Sequence, residues 1–81
     1  MNILTPDIRN YIVSRPWPKG LQFDLKEEPG MLYIVFFRDN WLTLEPADHI
    51  KITQVVKEIM ENLRAQGVPI FMERMASRNG T

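Results

Sequence analysis

The sequence predicts an α+β fold, a two-layer sandwich. It combines a small mixed or antiparallel sheet of three to four strands with one long amphipathic helix and a short N-terminal helix. Three observations carry that expectation. Leu21-Gln22-Phe23-Asp24-Leu25-Lys26 alternates apolar and polar residues, the period of a strand with one buried and one wet face. The apolar run Met31 to Phe37 follows directly after a Pro-Gly turn. Ile52, Val55, Val56, Ile59 and Leu63 then recur at the i, i+3, i+4, i+7 spacing of one helical face.

The elements follow in order. Thr5-Pro6-Asp7 is a helix start: a hydroxyl to cap, a proline suited to the first position, and an acid at the positive end of the dipole. Ile8, Tyr11 and Ile12 form its apolar stripe, so a short helix is expected over 5–14. Arg15-Pro16-Trp17-Pro18-Lys19-Gly20 stops it and continues as a rigid, extended connection. The alternating strand 21–26, the turn at Glu27-Glu28-Pro29-Gly30 and the strand 31–37 make a β-hairpin. Residues 31–37 are apolar on both faces and rich in β-branched and aromatic side chains, which suits a central strand.

After Arg38-Asp39-Asn40, the stretch Trp41-Leu42-Thr43-Leu44 reads either as a short extra strand in a second hairpin or as an extended lead-in to the next helix. The main helix is expected from Pro46 to Gln66, with Pro46 as first residue or Asp48 as cap. Met60 flanks its stripe, and Lys57–Glu61 and Glu61–Arg64 are placed to pair across a turn. Gly67 and Pro69 end the helix, and 68–75 is the last strand. The order is therefore α-β-β-(β)-α-β in a single domain over 1–81, with 76–81 a fraying tail. One packing problem stands out. Met31, Tyr33, Val35 and Phe37 point one way from the central strand, and Leu32, Ile34 and Phe36 the other. The main helix covers one set, leaving the other to the first helix or to a second copy of the chain.

Composition narrows the function classes. Ten basic and ten acidic side chains cancel, which argues against the global positive field of a dedicated nucleic-acid binder. Cysteine is absent, which excludes disulfides, thiolate metal sites and thiol catalysis. The longest apolar run, seven residues, is far short of the ~20 that span a bilayer. The opening Met1-Asn2-Ile3-Leu4-Thr5-Pro6 does not read as a secretory leader, so the cytoplasm is the expected compartment.

Candidate chemistry is sparse. The sole histidine, His49, is expected as an exposed residue in the first turn of the main helix, and an adjacent Asp48 does not make a triad. The only serines are Ser14 and Ser77, and the carboxylates lack the spacing of a calcium loop. The glycines are isolated, so no phosphate-binding loop is formed. No catalytic residue, metal or cofactor is expected. Recognition surfaces remain, since aromatic anchors beside cations are what interface hot spots are made of. Arg15, Trp17 and Lys19 form one such group, Arg38 and Trp41 another, and a core role for each tryptophan is the competing reading. The functional expectation is thus a small non-enzymatic protein–protein interaction or regulatory module. Its partner is another protein or a second copy in a homodimer. The alternatives are a module that binds single-stranded nucleic acid through the tryptophans and nearby cations, and a small enzyme using His49.

Overall fold

A computed structural model describes residues 3–75, with side chains through Glu73; the tail expected over 76–81 lies outside them. The order is α1 (Pro6–Val13), β1 (Phe23–Glu28), β2 (Met31–Phe37), α2 (Arg38–Leu42), α3 (Pro46–Ala65) and β3 (Ile70–Met75). The sheet runs β1-β2-β3, with β1 antiparallel and β3 parallel to the central β2. This is the expected mixed α+β sandwich, with three strands.

Local chemistry sets most boundaries. The Thr5 hydroxyl accepts the Ile8 N–H at 3.2 Å and caps α1. Pro29-Gly30 joins β1 to β2, with Gly30 at φ +78, the left-handed position a type II turn needs. Pro46 opens α3, and the Asp48 carboxylate, one turn in, accepts the Glu45 N–H at 3.3 Å. At its other end Gly67 is left-handed, the Val68 N–H reaches back to the Leu63 carbonyl and the Gly67 N–H to that of Arg64, both at 2.9 Å, which closes the helix with a Schellman pair.

The bracketed strand at 41–44 is not a strand. Arg38–Leu42 is a short helix, and its spacing explains the choice. Trp41 and Leu44, three residues apart, pack on the core, while Leu42 is left in water. A strand would have put Leu42 with Leu44 on one face.

The core is the even face of β2 against the helices: Leu32, Ile34 and Phe36 meet Ile52, Val55, Val56, Ile59 and Leu63, with Ile70 from β3 and Ile12 from α1. The short α1 and the long α3 therefore lie in one layer, and α1 does not cross to cover the odd face of β2. On α3, α1 occupies one flank. Arg15 pairs with Glu58 at 3.5 Å, and the Asn62 amide donates to the Tyr11 hydroxyl at 2.6 Å. The Ile3 N–H donates to the Glu27 carboxylate at 2.7 Å, tying the start of the chain to β1.

The odd face of β2 has no helix, yet Val35 is 2% and Phe37 8% exposed. Flanking strands do much of this. Asp24 and Glu73 lie in register on either side of Val35, and Lys26 and Phe71 on either side of Tyr33. The Lys26 ammonium passes 5.3 Å from the centre of the Tyr33 ring to meet the Glu73 carboxylate at 3.0 Å. It is a strut from β1 to β3 across the apolar strand, the lysine stem covering ring surface while its head stays wet. The expected Lys57–Glu61 and Glu61–Arg64 pairs do not form. Arg64 turns instead to β3.

Candidate functional site: a groove beside an open sheet edge

The flank of α3 opposite α1 overhangs the outer edge of β3. One helical face, Thr53, Val56, Lys57, Met60, Glu61 and Arg64, looks over that edge and lines a groove of about 490 Å³ with Trp41 at one end and Met72 beside it. Val56 is buried, Met60 and Trp41 are half-buried, and Met72 is 42% exposed, so the walls are apolar and deformable. Lys57, Glu61 and Arg64 form a rim of both signs.

The strand beneath this groove is unpaired on its outer side. The Leu32 N–H donates to the Pro69 carbonyl at 2.9 Å, which sets the phase of the parallel ladder. Odd-numbered residues of β3 bond to β2, and the even-numbered Ile70, Met72 and Arg74 turn their N–H and C=O groups outward. The Ile70 carbonyl receives Arg64 Nη2 at 3.1 Å, and the same guanidinium lies 5.5 Å from the centre of the Phe71 ring. No described residue bonds to the N–H or C=O of Met72. The contrast with β1 is instructive. There the Leu25 N–H is taken by the Asp24 carboxylate at 2.8 Å, and Asp24, Lys26, Glu27 and Glu28 crowd the strand with charge, which blunts an edge against further pairing.

The residues singled out from the sequence are placed as follows. Trp17 is half-buried; its indole N–H donates to the Ile12 carbonyl at 2.8 Å and its ring packs 4.8 Å from Phe23 and 6.2 Å from Phe36. Trp41 is also half-buried, 5.5 Å from Phe36. The two tryptophans are thus bridged by one phenylalanine. Arg15 folds back on α1, donating to the Tyr11 carbonyl at 3.0 Å and lying over the Tyr11 ring. Lys19 and Arg38 are exposed. Asn40 joins their two segments, its amide donating to the Gly20 carbonyl at 2.9 Å while its side-chain oxygen accepts the Gln22 N–H at 2.8 Å. Only Trp41 of these residues lines the groove. Met60, Arg64 and Met72, which do most to shape it, were legible only as a stripe-flanking residue, a helix-pairing cation and a strand residue.

His49 is half-buried, a correction to the exposed position expected of it. Its ring meets Trp41 edge-on at 4.5 Å, because the short helix α2 brings the indole against the first turn of α3. The Thr53 hydroxyl donates to the His49 backbone carbonyl at 3.0 Å. The imidazole itself makes no hydrogen bond to a hydroxyl or carboxylate side chain among the described residues, and the Ser14 hydroxyl donates to the Tyr11 carbonyl. No group of His, Asp and Glu able to hold a metal ion gathers among the described residues. No described helix is long and apolar enough to cross a membrane. Comparison of the chain with protein-family models, curated proteins and solved structures finds no match.

Proposed function

We propose that this protein is a non-enzymatic interaction module of the cytoplasm, and that it holds an extended protein segment as a fourth strand on the outer edge of β3. One observation carries the reading: the outward N–H and C=O of Met72 lie beside an apolar groove roofed by α3. A strand added there gains main-chain hydrogen bonds from the edge, while every second side chain enters the groove. That division of labour, backbone for affinity and pockets for specificity, defines recognition by β-augmentation. The cysteine-free composition fits a reducing compartment. The single-strand nucleic-acid reading draws less support, because both tryptophan rings are engaged with Phe36.

Random-peptide display tests the reading, with selection on the wild type and on Met72→Pro in parallel. Proline removes an outward N–H and leaves the β2 ladder intact. Apolar, extended peptides should enrich on the wild type and bind the variant at least tenfold more weakly. Equal enrichment on both proteins, or none, refutes the reading.

A further inference from the structure

We infer that the segment that β3 takes is the β3 of a second copy, paired antiparallel about a two-fold axis at Met72 to give one continuous six-stranded sheet. The inference rests on the edge-docking reading and names its partner. An isologous contact requires a surface that complements itself under a two-fold rotation.

The β3 edge meets that condition in one register. Its outward residues are Ile70, Met72 and Arg74, evenly spaced about Met72. Centring the axis there makes Met72 a hydrogen-bonded pair with its own copy and pairs the Ile70 backbone with that of Arg74 on both sides. Every outward N–H and C=O of the strand is then used. The Ile70 carbonyl already accepts Arg64, and its second lone pair remains for the new strand. On the helix side the two Met72 side chains meet at the axis, beside the grooves in which Met60 lies.

The other face supplies the charge complementarity. In this register each Phe71 stands opposite Glu73 of the second copy as a non-hydrogen-bonded pair, the closer kind, with Cα atoms about 4.5 Å apart. Arg64 already lies over Phe71, so each Glu73 of one copy approaches Arg64 of the other, twice by symmetry. Opposite charges at such cross-strand positions favour pairing. Centring on Glu73 instead would set two carboxylates face to face. Centring on Phe71 would move Glu73 opposite Pro69 and away from Arg64. Zero net charge also removes the mutual repulsion that keeps copies of a highly charged chain apart.

Sedimentation equilibrium of the full chain decides the matter, with three proteins run over micromolar to millimolar concentration. The wild type should reach twice the 9.5 kDa of one chain. Met72→Pro should remain at the monomer mass with an unchanged far-ultraviolet spectrum. Met72→Lys, which retains the backbone donor but sets two ammonium groups at the axis, should weaken association at least tenfold; it serves as the folded readout if the proline variant is unstable. A wild type that stays monomeric throughout overturns the second-copy inference, leaving the peptide selection to judge the edge on its own. A dimer that persists in both variants also overturns it, because the contact then lies elsewhere. A selected peptide that dissociates the wild-type dimer supports it.

Discussion

Phe36 offers the most direct test of how the aromatic side chains are used, because both tryptophans touch its ring. It is 1% exposed, with Trp41 at 5.5 Å, Trp17 at 6.2 Å and Phe23 at 6.5 Å between ring centres. Phe36→Ala deletes a buried ring at the meeting point of β1, β2, α2 and the Trp17 segment. Such truncations cost about 3–5 kcal/mol, from lost burial and from the cavity left behind. A chain of 81 residues has a total stability of roughly 4–12 kcal/mol, so the variant should unfold at markedly lower urea, with much of its population unfolded if the wild type is near the lower bound. Phe36→Leu separates volume from aromatic contact. It retains most of the bulk, for which a well-tolerated swap costs under about 1.5 kcal/mol. It also forfeits ring pairing worth about 0.5–1.5 kcal/mol for each close partner, and Trp41 is the closest. The expected order is wild type, then Leu, then Ala, with Leu about 1–3 kcal/mol below wild type. Urea denaturation followed by far-ultraviolet circular dichroism is the assay, since it does not depend on the tryptophans whose surroundings change. A loss below about 1 kcal/mol for Phe36→Ala would refute the bridging arrangement and reopen both tryptophans as surface anchors.

Two further perturbations address the ties between segments. Asn40→Ala removes two side-chain hydrogen bonds, to the Gly20 carbonyl and from the Gln22 N–H. At about 0.5–1.5 kcal/mol each, and near the lower end for exposed bonds, the loss should be about 1–2 kcal/mol in chemical denaturation. Asn40→Asp retains the acceptor and loses the donor, so it should fall between; a cost of zero for both would show the bridge to be idle. The second concerns the Lys26–Glu73 strut. The hydrogen bond to the Glu73 carboxylate holds the Lys26 ammonium above its ordinary 10.5, with desolvation working against it and the charges of Glu73 and Glu28 adding to it. A raised pKa in the fold means stabilisation that is complete below the unfolded value and lost as pH climbs through the folded one. Melting temperature should therefore fall more steeply above about pH 10.5 in the wild type than in Glu73→Gln, and the two curves should converge at the alkaline end. Parallel curves would show that the strut contributes nothing.

What was legible in the sequence follows the range of the interactions involved. The stripe Ile52, Val55, Val56, Ile59 and Leu63 is the buried face of α3, and the hairpin closes at Pro29-Gly30, because periodicity and turn chemistry are local. Trp41-Leu42-Thr43-Leu44 misled, since four mostly apolar residues after an Asp-Asn pair are too few to separate a strand from one helical turn whose ends meet the core. The exposed histidine misled for a related reason: whether His49 sees water depends on where α2 sets down Trp41. The groove was not legible at all. It requires knowing that β3 joins the sheet beside β2, that even-numbered residues of β3 face outward, and that Arg64 leaves its helical neighbours for the Ile70 carbonyl. Each of these is a pairing between distant parts of the chain.

The apolar surplus on β2 looked like the mark of a missing layer, and the structure adds a second open surface at the outer edge of β3. The flank of α3 reaches the outer edge of β3 and lines the groove there with Met72, while on the odd face of the sheet Val35 and Phe37 are buried and Met31 and Phe71 stay exposed. Stacking a partner on that odd face would bury the Lys26–Glu73 pair, and an ion pair taken out of water loses more hydration than its mutual attraction restores unless further bonds satisfy it. Adding a strand at β3 covers chiefly the outward N–H and C=O of Met72 and the thioether side chains of Met60 and Met72, with Lys57, Glu61 and Arg64 at the rim. Growth of this sheet is therefore favoured sideways, beneath the helix that already roofs the next position.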